Sequence, residues 1–492
     1  SFSFKNIVGS ILIVISLVNV SSFFFTTSKY NPYYLLRMYV ASNELVVKQM
    51  DVMPHSNIEM LRKLPYQSSI SIIKDKITSS EYTIEHLELT WDNILNDYIW
   101  YGEKKPRGIF NEYFGDIEGT IGLSSTKSSI QMNTLDNVFD YGSSLKWFNS
   151  IDYKIKRMMS LYDLFDKDID DNVRTVRISE DEIARIVPII NYEGILGIPK
   201  FGGVYVIHED NGNKYRDISI LDTELGFLYR KLIDSISSRT AVIEHLSVDE
   251  IKDIAYLNNQ NLIPEEITNF YVESWPFKNG LYNYFIDKKD LTKVTKIPEE
   301  TNQQPSILHF NDIDGFSGLF QMFILEPMGK NSGVSNILLF DSKGYDEDIT
   351  AYEFDFNKHD IQIIGPSRIA ETIKDSDKYV KWDKFIIAES KLIFVEDKIS
   401  GTRPLYLNFV ISKENASAKP TTVIADPQNF NIKWLEKGLS SMQLIKELKL
   451  FVENPKFKKG DNIDNTINNY IKKNDEGDDT DNIIDNYIKK QQ

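Results

Sequence analysis

From residue 307 to residue 425 the apolar side chains of this chain come in short runs, each cut off by Gly, Pro, Asp or Asn. The runs are FQMFILE, NILLFD, AYEFDF, IQIIG, KFIIAE, KLIFVE, LYLNFVIS and TTVIA. They are too short for helices and rich in the β-branched and aromatic residues that suit a pleated, buried surface. The spacing predicts seven or eight antiparallel strands forming a sandwich or barrel. Residues 429–434 then lead into a helix over 440–453.

Before residue 300 the pattern differs. Residues 298–305 (PEETNQQP) are polar and read as a linker. Upstream of them, helical spacing dominates. Leu35, Tyr39, Leu45 and Val46 share a side over 32–50, and a short helix is expected over 57–64. Ile84, Leu87, Trp91, Ile94, Leu95 and Tyr98 form a stripe over 80–101. Leu145, Phe148, Ile155, Met159 and Tyr162 do so over 143–165, and Leu225, Leu228, Leu232 and Ile236 over 223–237. Ser179 with Glu182, and Ser247 with Glu250, have capping-box spacing. Pro264 stands where proline opens a helix. The exceptions are a strand over 68–73, a loop over 102–108 and an irregular Gly-containing stretch over 115–132. A hairpin is also expected, with 204–208 and 214–221 flanking Asp210-Asn211-Gly212, since Asn-Gly supplies the positive φ of a tight turn.

The expected fold class is α+β. A largely helical N-terminal part with a β-hairpin near 204–221 precedes an antiparallel β-rich, sandwich- or barrel-like domain and a disordered acidic tail. In domain terms, 1–55 is an apolar arm or anchor plus a helix, and 56–300 a mainly helical domain. Residues 301–455 are the β-rich domain closed by its helix, and 456–492 the flexible tail.

Both ends carry unusual segments. Residues 7–25 (IVGSILIVISLVNVSSFFF) follow Lys5 as a 19-residue apolar run. A positive flank, a short apolar core and small residues up to Ser22 fit a secretory signal. The length also approaches the ~20 residues of a membrane-spanning helix. The many β-branched residues equally fit a buried strand or an arm laid on a neighbouring subunit. In the tail, Asn465-Thr-Ile-Asn-Asn-Tyr-Ile-Lys-Lys473 recurs 17 residues later, starting at Asn482. A short apolar trio in polar surroundings resembles a peptide recognition element, and two copies give avidity. Its anchors are Ile467, Tyr470, Ile471, Ile484, Tyr487 and Ile488.

Composition narrows the chemistry. A net charge of −16 argues against nucleic acid as the main partner. The absence of Cys excludes disulfides, thiolate metal sites and Cys nucleophiles. The 28 Phe and 26 Tyr suit cores and subunit interfaces. Asp166, Asp168 and Asp170 imitate the start of a calcium loop. The sixth position, however, is Asp171 rather than Gly, and the twelfth is Arg177 rather than Glu. Gly315-Phe316-Ser317-Gly318 misses the nucleophile-elbow spacing. Gly194, Gly197, Gly202 and Gly203 match no phosphate-binding loop. The six histidines, His55, His86, His208, His245, His309 and His359, include no ligand pair at helical spacing.

No catalytic, cofactor-binding or metal-ligating residue is therefore expected. The leading expectation is a non-enzymatic structural or assembly subunit of a large particle, most concretely a phage or virus virion component. Its partners would be other protein subunits. One alternative is a secreted or membrane-anchored surface or adhesion protein held through residues 7–25, with Asn415-Ala-Ser417 as a possible glycosylation acceptor. Others are an accessory subunit of a nucleic-acid machine and an enzyme with dispersed carboxylates.

Overall fold

The computed structural model describes residues 32–453 apart from several intervening stretches, the longest of which is 211–241. Its centre is a seven-stranded sheet. Strands Ser306–Ile313, Phe316–Pro327, Asn336–Asp341 and Thr350–Asp355 form an antiparallel meander, with Thr292–Val294 paired to the far end of Phe316–Pro327. These strands read as unbroken apolar runs because both faces are buried. On Phe316–Pro327, Phe320, Met322 and Ile324 face one core, while Phe323 and Leu325 face another. Each such side chain, fully buried, contributes about 1.5–3 kcal/mol.

Segments from near the N-terminus close this sheet. Val46–Gln49 lies parallel to Thr350–Asp355 at one edge, and His55–Ser56 lies antiparallel to Ser306–Ile313 at the other. Six peptide links join Gln49 to His55. At about 3.6 Å each they reach at most ~22 Å. In a flat sheet, five spacings of ~4.8 Å would part the two edges by ~24 Å. A flat sheet is therefore excluded, and the twist of the strands brings the two edges within reach of the connection.

The C-terminal sheet covers one face. It is a meander of Phe385–Asp397, Gly401–Ser412, Thr421–Ala425 and Ile432–Trp434. It shares its core with helices Pro366–Ser376 and Ser441–Glu453. The runs KFIIAE and KLIFVE are one strand, not two, interrupted by a bulge between Ile387 and Glu389. The helix expected after residue 440 is present.

The other face of the central sheet packs against helices Pro32–Glu44 and Glu265–Ser274 and a five-stranded antiparallel sheet. That sheet runs Arg174–Arg177, Glu182–Glu193, Ile198–Asp210, Val242–Leu246, with Lys167–Ile169 paired to Glu182–Glu193. A fourth sheet, Glu88–Asp92, Asp97–Glu103, Thr120–Ser124 and Met132–Leu135, packs under helix Tyr66–Lys76.

The architecture is thus mixed and rich in antiparallel sheet, but the first part is not largely helical. The stripe from Ile84 to Tyr98 is a β-hairpin. Asp92 turns the chain by accepting the N–H groups of Ile94 and Leu95, and Asn96 adopts φ +48°. Two turn-forming side chains outweigh the helical coincidence of the apolar positions. The expected capping box at Ser179 and Glu182 is instead the entry to strand Glu182–Glu193, whose Ile/Val content favours extension. Pro188 is accommodated there because the pairing shifts between it and Ile190. Conversely, the strand expected over 68–73 lies within helix Tyr66–Lys76, opened after Pro65, with Ser68, Ser69, Ile72 and Ile73 inward.

Other boundaries move as well. The first helix stops at Glu44, where Val46–Gln49 pairs with the central sheet. Residues 57–64 are not helical, 102–108 contain strand Lys105–Pro106, and 115–132 contain strand Thr120–Ser124. Within 143–165 the described helix is Ile151–Met158. The capping box of Ser247 with Glu250 and the helix after Pro264 are both present. Residues 204–208 are a strand, and both its edges are taken, by Glu182–Glu193 and Val242–Leu246. The partner expected at 214–221 lies outside the described residues, as does the helix over 223–237.

Candidate functional site

The six tail anchors, Ile467, Tyr470, Ile471, Ile484, Tyr487 and Ile488, lie outside the described residues, as do residues 7–25. The motif-like residues inside them have local partners. Asp168 pairs with Lys156 at 3.3 Å, and Asp170 accepts from Arg174 at 3.1 Å, so these two carboxylates each face a cation. The Ser317 hydroxyl accepts the backbone N–H of Asp312 and closes a hairpin turn at Gly315. Gly194 and Gly197 supply positive φ in the turn from Glu182–Glu193 to Ile198–Asp210. His359 stacks on Phe354, and His208 lies 3.6 Å from Glu244.

Two places bring together residues that sequence spacing cannot link. The first is an apolar surface at helix Pro32–Glu44. Its inner side buries Met38, Ala41 and Ser42. Arg37 from the same helix stacks on Phe270 at 4.6 Å and donates to Gly197 O at 2.5 Å. Tyr33 donates to Ile195 O at 3.2 Å. The helix is thereby fastened to the turn at 194–197. Its outer side leaves Tyr33, Leu36 and Tyr39 exposed, and Ile195 at the turn tip is 97% exposed. Scattered apolar residues on a surface need no explanation, but a grouped set marks an interaction face. Residues 7–25 precede this helix in sequence, with six residues between them. Among the described residues no helix is long and apolar enough to cross a membrane.

The second place is a polar junction at residues 62–64. The N–H groups of Lys63 and Leu64 both donate to Ser125 O, at 2.8 and 3.2 Å, which ties the loop to the sheet under helix Tyr66–Lys76. On the opposite side it meets the C-terminal sheet. Arg62 stacks on Trp100 at 4.9 Å and hydrogen-bonds Glu389 through Nη2. Lys391, fully buried, lies 3.6 Å from the same carboxylate and donates to Arg62 O at 3.3 Å. Burial, reinforced by the Arg62 charge and opposed by Glu389, pushes the Lys391 ammonium down to about 7.

Beside this cluster, Lys63 Nζ donates to Ser441 Oγ at 2.7 Å. Burial pushes the Lys63 ammonium down to about 8, against the opposing charge of Asp97. Asp97 itself is buried and accepts from Ser124 and Thr126. Ser441 is the first residue of helix Ser441–Glu453. Ser440 supplies the cap: its hydroxyl accepts the Gln443 N–H, and Gln443 accepts the Ser440 N–H in return. The Ser440 carbonyl accepts the N–H of Leu444. The N–H groups of Ser441 and Met442, first in the helix, have no partner within it.

Lys63 and Ser441 are 378 positions apart, and no spacing in the sequence pairs them. A serine doublet ahead of a helix is the one local signal, and it reads as a cap. No known family, no curated protein and no solved structure matches the chain.

Proposed function

We propose that this protein is a structural, assembly-forming subunit that attaches to other protein subunits through its N-terminal face. One observation carries the reading: Tyr33, Leu36, Tyr39 and Ile195 are exposed together on a helix and turn fastened to one another, and the helix follows the 19-residue apolar run after six intervening residues. Tyr with large aliphatic side chains is the composition of interface cores. The charge of −16 fits a protein partner better than a polyanion. A component of a virus or phage particle is the most concrete form of this reading.

The test compares the detergent-free native mass of the full chain with that of a chain lacking residues 1–31. A complex of several chains that collapses to monomer on removal supports the proposal. A full-length chain that is monomeric, or that floats with lipid vesicles and loses flotation on removal, overturns it in favour of membrane attachment.

A further inference from the structure

We infer that Lys63 and Ser441 form a base–nucleophile pair that cleaves carboxylic esters through an acyl-serine intermediate. The inference is independent of the assembly proposal and rests on three features of the junction.

The first is the contact. A primary amine 2.7 Å from a serine hydroxyl is within the reach required of a general base for its nucleophile. Both residues are partly exposed, and Met442 beside them is 83% exposed, so a substrate can approach. The second is the division of labour between adjacent serines. Ser440 caps the helix, which leaves the Ser441 hydroxyl without a structural duty at the helix end. Among the described residues no carboxylate lies within ion-pair distance of Lys63, so a hydroxyl rather than a counter-ion receives its ammonium. The third is the helix end itself. The N–H groups of Ser441 and Met442 sit at the positive end of a 13-residue helix, where developing negative charge is stabilised. The lowered affinity of Lys63 for its proton leaves a useful fraction of neutral amine in mildly alkaline solution.

The step balances with water as the co-reactant. Neutral Lys63 takes the proton of Ser441 Oγ as the Oγ–C bond forms. The oxyanion is held by the helix N–H groups. The C–O bond to the leaving alcohol breaks, and the alcohol departs with the proton from Lys63. Water then attacks the acyl-serine with Lys63 again as base, which releases a carboxylic acid and restores the serine. Anchoring of the 62–64 loop by Ser125 on one side and Lys391 on the other fixes the amine in place.

The test is covalent labelling of the full folded chain with an alkyl fluorophosphonate, in which the Ser441 Oγ–P bond replaces P–F and fluoride leaves. Intact mass and peptide mapping read the adduct. One adduct per chain on the peptide holding Ser441 is expected, with none in Ser441→Ala. Lys63→Met lowers the labelling rate on the order of 100-fold, the usual contribution of a general base. In the wild type the rate rises with pH and levels off above about 8. A folded wild-type chain with no Ser441 adduct, or labelling that survives Lys63→Met unchanged, overturns the inference. Should Lys63→Met fail to fold, the pH profile decides. A rate that keeps climbing tenfold per unit above pH 9 belongs to hydroxide and excludes Lys63 as the base.

Discussion

Arg62 and Glu389, 327 positions apart, are hydrogen-bonded as an ion pair whose side chains are only 14% and 5% exposed. The pair joins the loop before helix Tyr66–Lys76 to the first strand of the C-terminal sheet. Removing one partner strands a buried charge, which costs about 3–5 kcal/mol. Glu389→Ala, which leaves Arg62 and Lys391 facing each other without their carboxylate, is expected to lower stability by that amount in urea unfolding, and Arg62→Ala by less, because Lys391 still lies 3.6 Å from Glu389. Replacing Arg62, Glu389 and Lys391 together with apolar residues of similar volume should recover most of it, because no buried charge is then left unpaired. Single variants that unfold at the wild-type midpoint would remove this pair from the account of the junction.

The opposite shifts of Lys391 and Glu265 are expected to place a stability minimum near pH 7. Lys391 is depressed from an ordinary 10.5 to about 7 in the folded chain. Its contribution is complete above 10.5 and is lost as pH falls to 7, because the unfolded chain binds the proton first. Glu265 is raised from 4.5 to about 7, chiefly by burial, with Arg174 opposing and Glu88 and Asp170 adding. Its contribution is complete below 4.5 and is lost as pH rises through 7. Unfolding midpoints across pH 4–10 should dip near 7. Glu265→Gln should flatten the acid side and Lys391→Met the alkaline side.

Lys391→Met should also stabilise the protein at pH 7. The lowered proton affinity of Lys391 is caused first by burial, so an apolar side chain of similar length removes a desolvation cost that the charged amine bears. The remaining Glu389 keeps its Arg62 partner. A lower midpoint in this variant would show that the amine, not its desolvation, dominates the site.

Asp92 is fully buried and serves three groups: the N–H of Ile94, the N–H of Leu95 and the hydroxyl of Tyr101. Asp92→Ala leaves these donors without a partner at about 1–3 kcal/mol for each buried group. A loss of at least ~2 kcal/mol is expected, with hydrogen exchange rising first across 88–103.

The same hairpin shows why the first half was harder to read than the second. Ile84, Leu87, Trp91, Leu95 and Tyr98 recur at three- and four-residue steps, as on a helix, yet Asp92 and Asn96 reverse the chain in their midst. In Phe316–Pro327 and Asn336–Asp341 no such ambiguity arises. Burial on both faces produces apolar runs too short for helices, and the intervening Gly and Asp residues mark the turns. Helix ends were legible where the cap is local, as at Ser247 with Glu250, and illegible where tertiary pairing stops the helix, as at Glu44. The functional places were the least legible. Lys63 meets Ser441, and Tyr33 meets Ile195, only through the packing of distant segments. The anchors of the tail repeat are visible in sequence alone.

The attachment face is tested most directly by Leu36→Glu with Ile195→Glu in the full chain. Both side chains are exposed, at 48% and 97%, so the double variant should fold with stability within about 0.5 kcal/mol per site of wild type. Native mass in the absence of detergent is the readout. A multi-chain complex is expected for wild type and a monomer for the folded variant. An unchanged complex in the folded variant would contradict attachment through this face.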